Sequence, residues 1–255
     1  MNILVLLKQT FDTEEKISIQ NGQIEEDGRE FIINPYDEYA VEEAIKLKEE
    51  HGGEVTVITV GPDRSETALR TAMAMGVDKG ILVDDEALVS DEYTISKVLS
   101  TIIKDRAYDI ILTGNMSVDN GAGQVGIRLA EELGITPLST VVKLTIEDEK
   151  VTVVRDVEGD SEIIETQLPL LITAQQGLNE PRYPSLPGIM KAKKKPIERI
   201  DGDDLEISLA EIQAKSIIID QFMPKAKDAG RILTGDPANQ VKELVQVLQN
   251  EAKVL

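Results

Sequence analysis

The sequence predicts a doubly wound α/β protein whose central sheet is mostly parallel, with an antiparallel extension and a C-terminal arm. Two observations in the first half carry the prediction. Four short apolar runs are continuous rather than alternating, as strands buried on both faces should be, and each is followed by a stretch with helical periodicity. Four consecutive strand–helix units build a parallel, Rossmann-like sheet. A change of pattern after Leu138 is the third observation and predicts the extension.

The first run is "NILVLL", Asn2 to Leu7. "GQIEEDGREFIIN" then holds turn residues and fits a loop or small hairpin. In "NPYDEYAVEEAIKLKEEHGG", Asn34 stands as N-cap, Pro35 takes the first helical position, and Gly52 and Gly53 end the helix. Ala40, Ala44, Ile45 and Leu47 fall on one face of it. The strand "EVTVITVGP" stops at Gly-Pro, and the helix "SETALRTAMAMG" follows. After the strand "GILVDD" come the helix "DEYTISKVLSTIIKD", the strand "YDIILTG" and the helix "GQVGIRLAEELG".

Beyond Leu138, "VVKLTIEDEKVTVVRDVEGDSEIIETQLPLLITA" contains short strands joined by acidic turns, expected to be antiparallel. From Gln175 to Pro196 the chain has four prolines and no clear period. Loops of this length are usually functional or disordered. The tail holds a short helical stretch near Ser208, an irregular passage and a last helix introduced by "GDPANQ". In that helix Val241, Leu244, Val245 and Leu248 form an apolar stripe that needs a surface to cover it. Residues 1–196 are expected to form the main domain and 197–255 an arm.

Among the 255 residues, 41% are hydrophobic but only 3% aromatic, so the core is aliphatic. Lys and Arg number 27 against 47 Asp and Glu, a formal charge of -20. Such a surface repels phosphate backbones and anionic lipid, which argues against nucleic-acid or membrane partners. The chain has no cysteine, which excludes disulfides, thiolate catalysis and cysteine-held metals. Its one histidine, His51, stands where a helix ends and is expected to be solvated. No G-x-S-x-G turn and no metal-ligand cluster is present, so no catalytic residue and no metal are expected. The start, "MNILVLLKQTFD", lacks the basic residues and cleavage site of a secretory signal. With no apolar run near the ~20 residues of a membrane span, a cytoplasmic location is expected.

Gly121, Gly123 and Gly126 spell G-x-G-x-x-G, the pattern of a dinucleotide fingerprint. The context is wrong for one. That fingerprint follows the first strand and needs an acidic residue about 20 positions later at the end of the next parallel strand. Here the glycines follow the fourth strand, and the pattern change comes next. A flexible loop remains one reading and a mononucleotide cradle the other. Backbone N–H groups from Gly123 to Gly126 open a helix, where donors and dipole favour an anion, and Asp119 and Asn120 are placed to meet ribose hydroxyls.

Three further stretches bear on the choice: "INPYDEYAVEEAIKLKE" (33–49), "VVRDVEGDSEIIETQLPLLITA" (153–174) and "LNEPRYPSLPGIMKAKKKPI" (178–197). Together with "GPDRSETALRTAMAMGVDKG" they resemble the beta (small) subunit of electron-transfer flavoproteins, and the similarity runs from Met1 to the arm. The resemblance implies a heterodimer with an alpha subunit that carries FAD. It implies electrons taken from acyl-CoA and related dehydrogenases, as in fatty acid oxidation, and passed towards a quinone reductase. The implied nucleotide pocket uses Leu6, Asn34, Pro35, Tyr36, Asp37 and Val60. Within residues 117–128 it adds Asp119, Asn120, Gly121, Ala122, Gly123, Gln124, Val125 and Gly126.

AMP is the ligand of most such subunits. An electron-bifurcating branch holds a second FAD there that accepts hydride from NADH, and this chain shares that branch's Gln124-Val125-Gly126 but carries Gly123 and Ile127 at the flanks. It also departs from the acidic run and Asn-Gln-Thr-Gly of familiar AMP binders. The resemblance makes 178–196 a recognition loop, with Leu186 as anchor beside Pro187, Ile189, Met190 and Lys191. Asp156 takes the place of an acidic residue that contacts an alpha-subunit arginine, and Asp for Glu shortens its reach. A stand-alone adenine-nucleotide-binding module resembling universal stress proteins is the reading of another class. It would need neither the 178–196 loop nor the arm.

Overall fold

The computed structural model describes every residue except Val89, Glu149, Glu206, Leu209 and Asp228. The chain opens with β1 (Asn2–Leu6), followed by β2 (Gln9–Phe11), β3 (Ile19–Gln20), β4 (Gln23–Ile24) and β5 (Phe31–Ile33). The four short strands β2 to β5 pair as two small antiparallel ribbons, β2 with β5 and β3 with β4, so the acidic stretch expected to be a loop or hairpin is nested hairpins. Then come α1 (Pro35–His51), β6 (Glu54–Val60), α2 (Glu66–Met75), β7 (Lys79–Val83), α3 (Glu92–Ile103), β8 (Ile110–Gly114) and α4 (Val125–Leu133). These are the four expected strand–helix units.

Strand β1 shows why the apolar runs are continuous. Ile3 and Val5 face one layer, with α1 and α2, while Leu4 and Leu6 face the other, with α3 and α4. With both faces covered, every position must be apolar.

After α4 the chain forms β9 (Thr136–Glu147), β10 (Lys150–Val157), β11 (Asp160–Gln167) and β12 (Leu170–Ala174). The first three pair antiparallel, as expected. The fourth does not continue the ribbon. It turns back and lies parallel between β8 and β9, so the sheet runs β11-β10-β9-β12-β8-β1-β6-β7 and ends on one more strand. The reason is in its composition: Leu170, Leu171, Ile172 and Ala174 are fully buried, which only a strand covered on both faces allows.

The segment with no clear period contains α5 (Leu186–Ala192), opened by Ser185, whose hydroxyl accepts the Gly188 N–H at 3.1 Å. Two prolines and a glycine hid this short helix. Next, β13 (Ile197–Ile200) pairs parallel with β7 and forms the sheet's last edge. Residues assigned to the arm therefore begin inside the main sheet, and Ile212 is buried with the α3 layer. Near Ser208, where the sequence predicts a helical stretch, the described residues hold a 3-10 turn, Gly202–Asp204, and Ser208 itself is not helical; Glu206 and Leu209 lie outside the described residues. The last helix, α6 (Pro237–Val247), is capped by Asp236, which accepts the Ala238 and Asn239 N–H groups. Its stripe lies uncovered, with Val241, Leu244 and Val245 exposed.

Placement of β12 in the parallel core predicts a contrast. Ile172→Ala should cost about 2–5 kcal/mol in denaturant unfolding, whereas Ile163→Thr on the exposed edge strand β11 should shift stability by under about 0.5 kcal/mol.

Candidate nucleotide site

In sheet order the chain leaves β1 towards β6 and β7 and later crosses to β8 on the other side. The gap above the carboxyl ends of β1 and β8 is the topological switch point, where ligands of open α/β sheets bind. A cavity of about 230 Å³ lies there. Of the expected pocket residues, Leu6, Asn34, Asp37, Val60, Asn120, Ala122, Gly123, Gln124, Val125 and Gly126 line it. Pro35, Tyr36, Asp119 and Gly121 do not. Pro35 starts α1, Tyr36 packs beside Gly114, Asp119 stands behind Lys8, and Gly121 shapes the turn with φ +64°.

The "NPYD" turn assembles the site. Asn34 sits at the N-cap position, but its side chain makes no cap bond. Its amide instead donates to the Met116 carbonyl at 2.9 Å and accepts the Val118 N–H at 3.1 Å, gripping the glycine loop. A primary amide offers both donor and acceptor, which suits backbone on both counts. Asp37 is buried, and its two oxygens accept the N–H groups of Lys8 at 2.7 Å and Gly114 at 2.9 Å. One carboxyl thus ties the ends of both strands at the switch point. The approach requires glycine at 114, since a Cβ there would stand 2.3 Å from Asp37 Oδ1. Burial pushes the Asp37 carboxyl up to about 7, opposed by the bonds from Lys8 and Gly114.

Beyond this turn the loop rises to α4. Gly123 takes φ +60°, and Gly126 packs so closely that a Cβ would lie 2.8 Å from Thr113 Cγ2. The N–H groups of Gly123 to Gly126 have no acceptor among the described residues, so they remain available to an anion at the helix start. The opposite wall is aliphatic: Leu6, Ile58, Val60, Ile95 and Leu99. Lys8 reaches the rim, where its ammonium meets Asp119 at 2.7 Å. Burial raises the Asp119 carboxyl, but Lys8 and its polar neighbours hold it below the ordinary range. A cavity with one greasy wall, one row of free N–H donors and one cation suits a flat base joined to a phosphate.

Sequence reasoning missed the contribution of α3, where Ser90, Asp91 and Glu92 line the mouth, and of Lys8 and Asn115. A signal existed: each directly follows the carboxyl end of a strand or opens the helix after it. Asp91 caps α3 through the Thr94 N–H and also accepts N–H groups of Lys215 at 2.6 Å and Ser216 at 2.9 Å. Its burial opposes ionisation, but these donors hold its carboxyl well below the usual range.

The residues expected to dock a partner lie elsewhere, on α5. Leu186 is 79% exposed and Met190 60%; Pro187, Ile189 and Lys191 are also exposed. Asp156 is exposed near the end of β10, where its carbonyl accepts the Thr140 hydroxyl at 2.7 Å. His51 ends α1, as expected. No helix among the described residues is long and apolar enough to cross a membrane.

The Asp37 geometry yields a prediction. Asn at 37 keeps one acceptor and turns an N–H donor towards the other backbone N–H, so Asp37→Asn should cost about 1–3 kcal/mol. Because the folded pKa of about 7 exceeds the unfolded 3.8, the folded chain retains a proton that the unfolded chain releases. This group's contribution therefore falls as pH rises from about 4 to about 7, and the stability gap between wild type and variant should narrow over that window in urea titrations.

Comparison with known proteins identifies the family. The family model for the electron transfer flavoprotein domain matches residues 21–205. The electron transfer flavoprotein subunit beta of Bacillus subtilis is 56% identical, over all of both chains. That of Syntrophomonas wolfei is 40% identical over 100% of this chain and 98% of its own. Subunit CarD of the caffeyl-CoA reductase-Etf complex of Acetobacterium woodii is 37% identical over 94% and 95%. The family model spans most of the chain and two of these relatives cover all of it, which places the protein: it belongs to the electron transfer flavoprotein family, among the beta subunits.

Proposed function

We propose that this chain binds AMP as a structural ligand and pairs with an alpha subunit whose FAD carries electrons from acyl-CoA-type dehydrogenases to a quinone reductase. The observation that carries the nucleotide assignment is the switch-point cavity with unpaired N–H groups along the start of α4. In this reading Gly123 to Gly126 hold the phosphate, the Leu6, Ile58 and Val60 wall takes the base, and Asn120 and Lys8 face the sugar side. The flavin supplies the electron chemistry from the partner; this chain's residues bind, orient and dock.

Support for the alpha subunit comes from the arm. Ile217, Ile218, Ile219 and Phe222 are each more than 75% exposed, and the α6 stripe is uncovered. Apolar surface of this extent marks an interaction site, and a stand-alone module would have no use for it. Support for dehydrogenase docking is the exposed Leu186 between Ser185 and Pro187, together with exposed Lys191, Lys193 and Lys194 in a chain of net charge -20. Such a patch steers an acidic partner. The relative from Acetobacterium woodii is named as a subunit of a caffeyl-CoA reductase-Etf complex, which supports this reading.

Acid release from the heterodimer should yield AMP and FAD in equal amounts, measured by mass spectrometry. Two FAD per heterodimer with reduction by NADH would overturn the AMP assignment in favour of the bifurcating branch. Leu186→Ala should slow electron transfer from an acyl-CoA dehydrogenase about tenfold or more, as loss of an interface anchor does, with the heterodimer intact.

A further inference from the structure

Helix α5 has only seven residues. A helix that short does not hold in water without tertiary support, yet its outward side carries Leu186, Ile189 and Met190, all exposed. Its support comes from α2, at both ends. Near its start, Gly188 lies against the last turn of α2, where a Cβ would stand 2.3 Å from the Ala74 carbonyl oxygen. At its finish, the Arg70 guanidinium donates from Nη1 to the carbonyls of Ala192 at 2.7 Å and Lys195 at 2.5 Å. Ala192 is the last residue of α5, and its carbonyl also accepts the Lys195 N–H at 3.2 Å; the guanidinium therefore pins both ends of the turn that closes the helix. Ala192 itself is 1% exposed.

Arg70 is itself held. Its Nε and Nη2 donate to Glu66 Oε1 at 3.0 and 2.9 Å, and the other Glu66 oxygen is bonded by Arg199 of β13. Lys195 adds a bond from Nζ to the Val77 carbonyl at 2.7 Å. A line of charged groups therefore runs from the sheet edge to the end of α5. A guanidinium with two faces satisfied by carbonyls and carboxylate presents a fixed fork, which an ammonium cannot copy.

We propose that Arg70 is a positioning residue for partner docking: by capping the carboxyl end of α5 it holds the Leu186–Met190 surface folded and facing outward before a dehydrogenase arrives. This rests on the docking role assigned to Leu186 above. A preformed anchor avoids the ordering cost that a loose loop would incur on binding.

The test uses the FAD-loaded heterodimer. In Arg70→Met, amide hydrogen exchange over residues 186–195 should quicken about tenfold, and KM for the acyl-CoA dehydrogenase should rise severalfold with kcat little changed. Arg70→Lys should recover only part of both. Gly188→Ala, which leaves the guanidinium in place and lifts the other end of the helix, should shift exchange and KM in the same direction. It serves if Arg70→Met folds poorly. Unchanged exchange in Arg70→Met would overturn the capping role. Faster exchange with unchanged KM, while Leu186→Ala raises KM, would overturn the link from capping to docking. An unchanged KM in Leu186→Ala itself would mean that the docking reading has failed, and the link to docking with it.

Discussion

The architecture depends on one carboxyl group. Where β1 and β8 part at the switch point, each strand end leaves a backbone N–H facing the cleft, and Asp37 accepts both. Without it one buried and one half-buried donor would lack partners, at a cost of the order of a few kcal/mol. Asn34, three residues earlier, ties down the loop that becomes the wall of N–H groups. The first turn of a single helix thus sets the width of the cavity. The same helix also holds the segment that leads to α5: Glu42, 4% exposed, and Glu49 clamp Arg182, while Glu43 and the Tyr39 carbonyl accept from Asn179. Buried Glu42 is tolerable because its partner is a guanidinium bonded to both oxygens.

Helix α3 plays the matching part on the other face. Asp91 secures the chain at Lys215 and Ser216, the Thr94 hydroxyl donates to the Ile212 carbonyl at 2.7 Å, and Ile212 is buried below. The arm is therefore fixed at its root and apolar beyond it. What this chain brings to its family is geometry: a sheet covered on both faces with a cavity at its switch point, an exposed apolar side on α5, and exposed apolar residues beyond Ile212.

Much of this was legible in the sequence where a local rule decides the outcome. The runs of β1, β6 and β8 had to be strands covered on both faces, and Asn34-Pro35 had to start a helix. That the glycine loop would offer unpaired N–H groups was legible too, because helix starts leave donors free. Long-range partners were not legible. Nothing local says that Asn34 bonds Met116 and Val118 instead of its own helix, or that Ser90 to Glu92 close the cavity. Strand β12 was mistaken for part of the ribbon because it follows two antiparallel strands. Its unbroken apolar composition was the sign that it belonged in the core. Helix α5 escaped detection because seven residues with Pro and Gly carry too little periodicity.

That placement of β12 also orders events during synthesis. Strand β9 joins the parallel sheet only through β12, a five-residue strand made after the whole ribbon. A chain emerging from its amino end has β8 with an open edge until residue 174 has appeared, and the three ribbon strands have no seat before then. Non-local pairing of this kind is slow and leaves an apolar edge open to other chains. The nascent protein therefore exposes open strand edges to aggregation until residue 174 closes β8 and residue 200 closes β7, well after β1, β6 and β7 have paired.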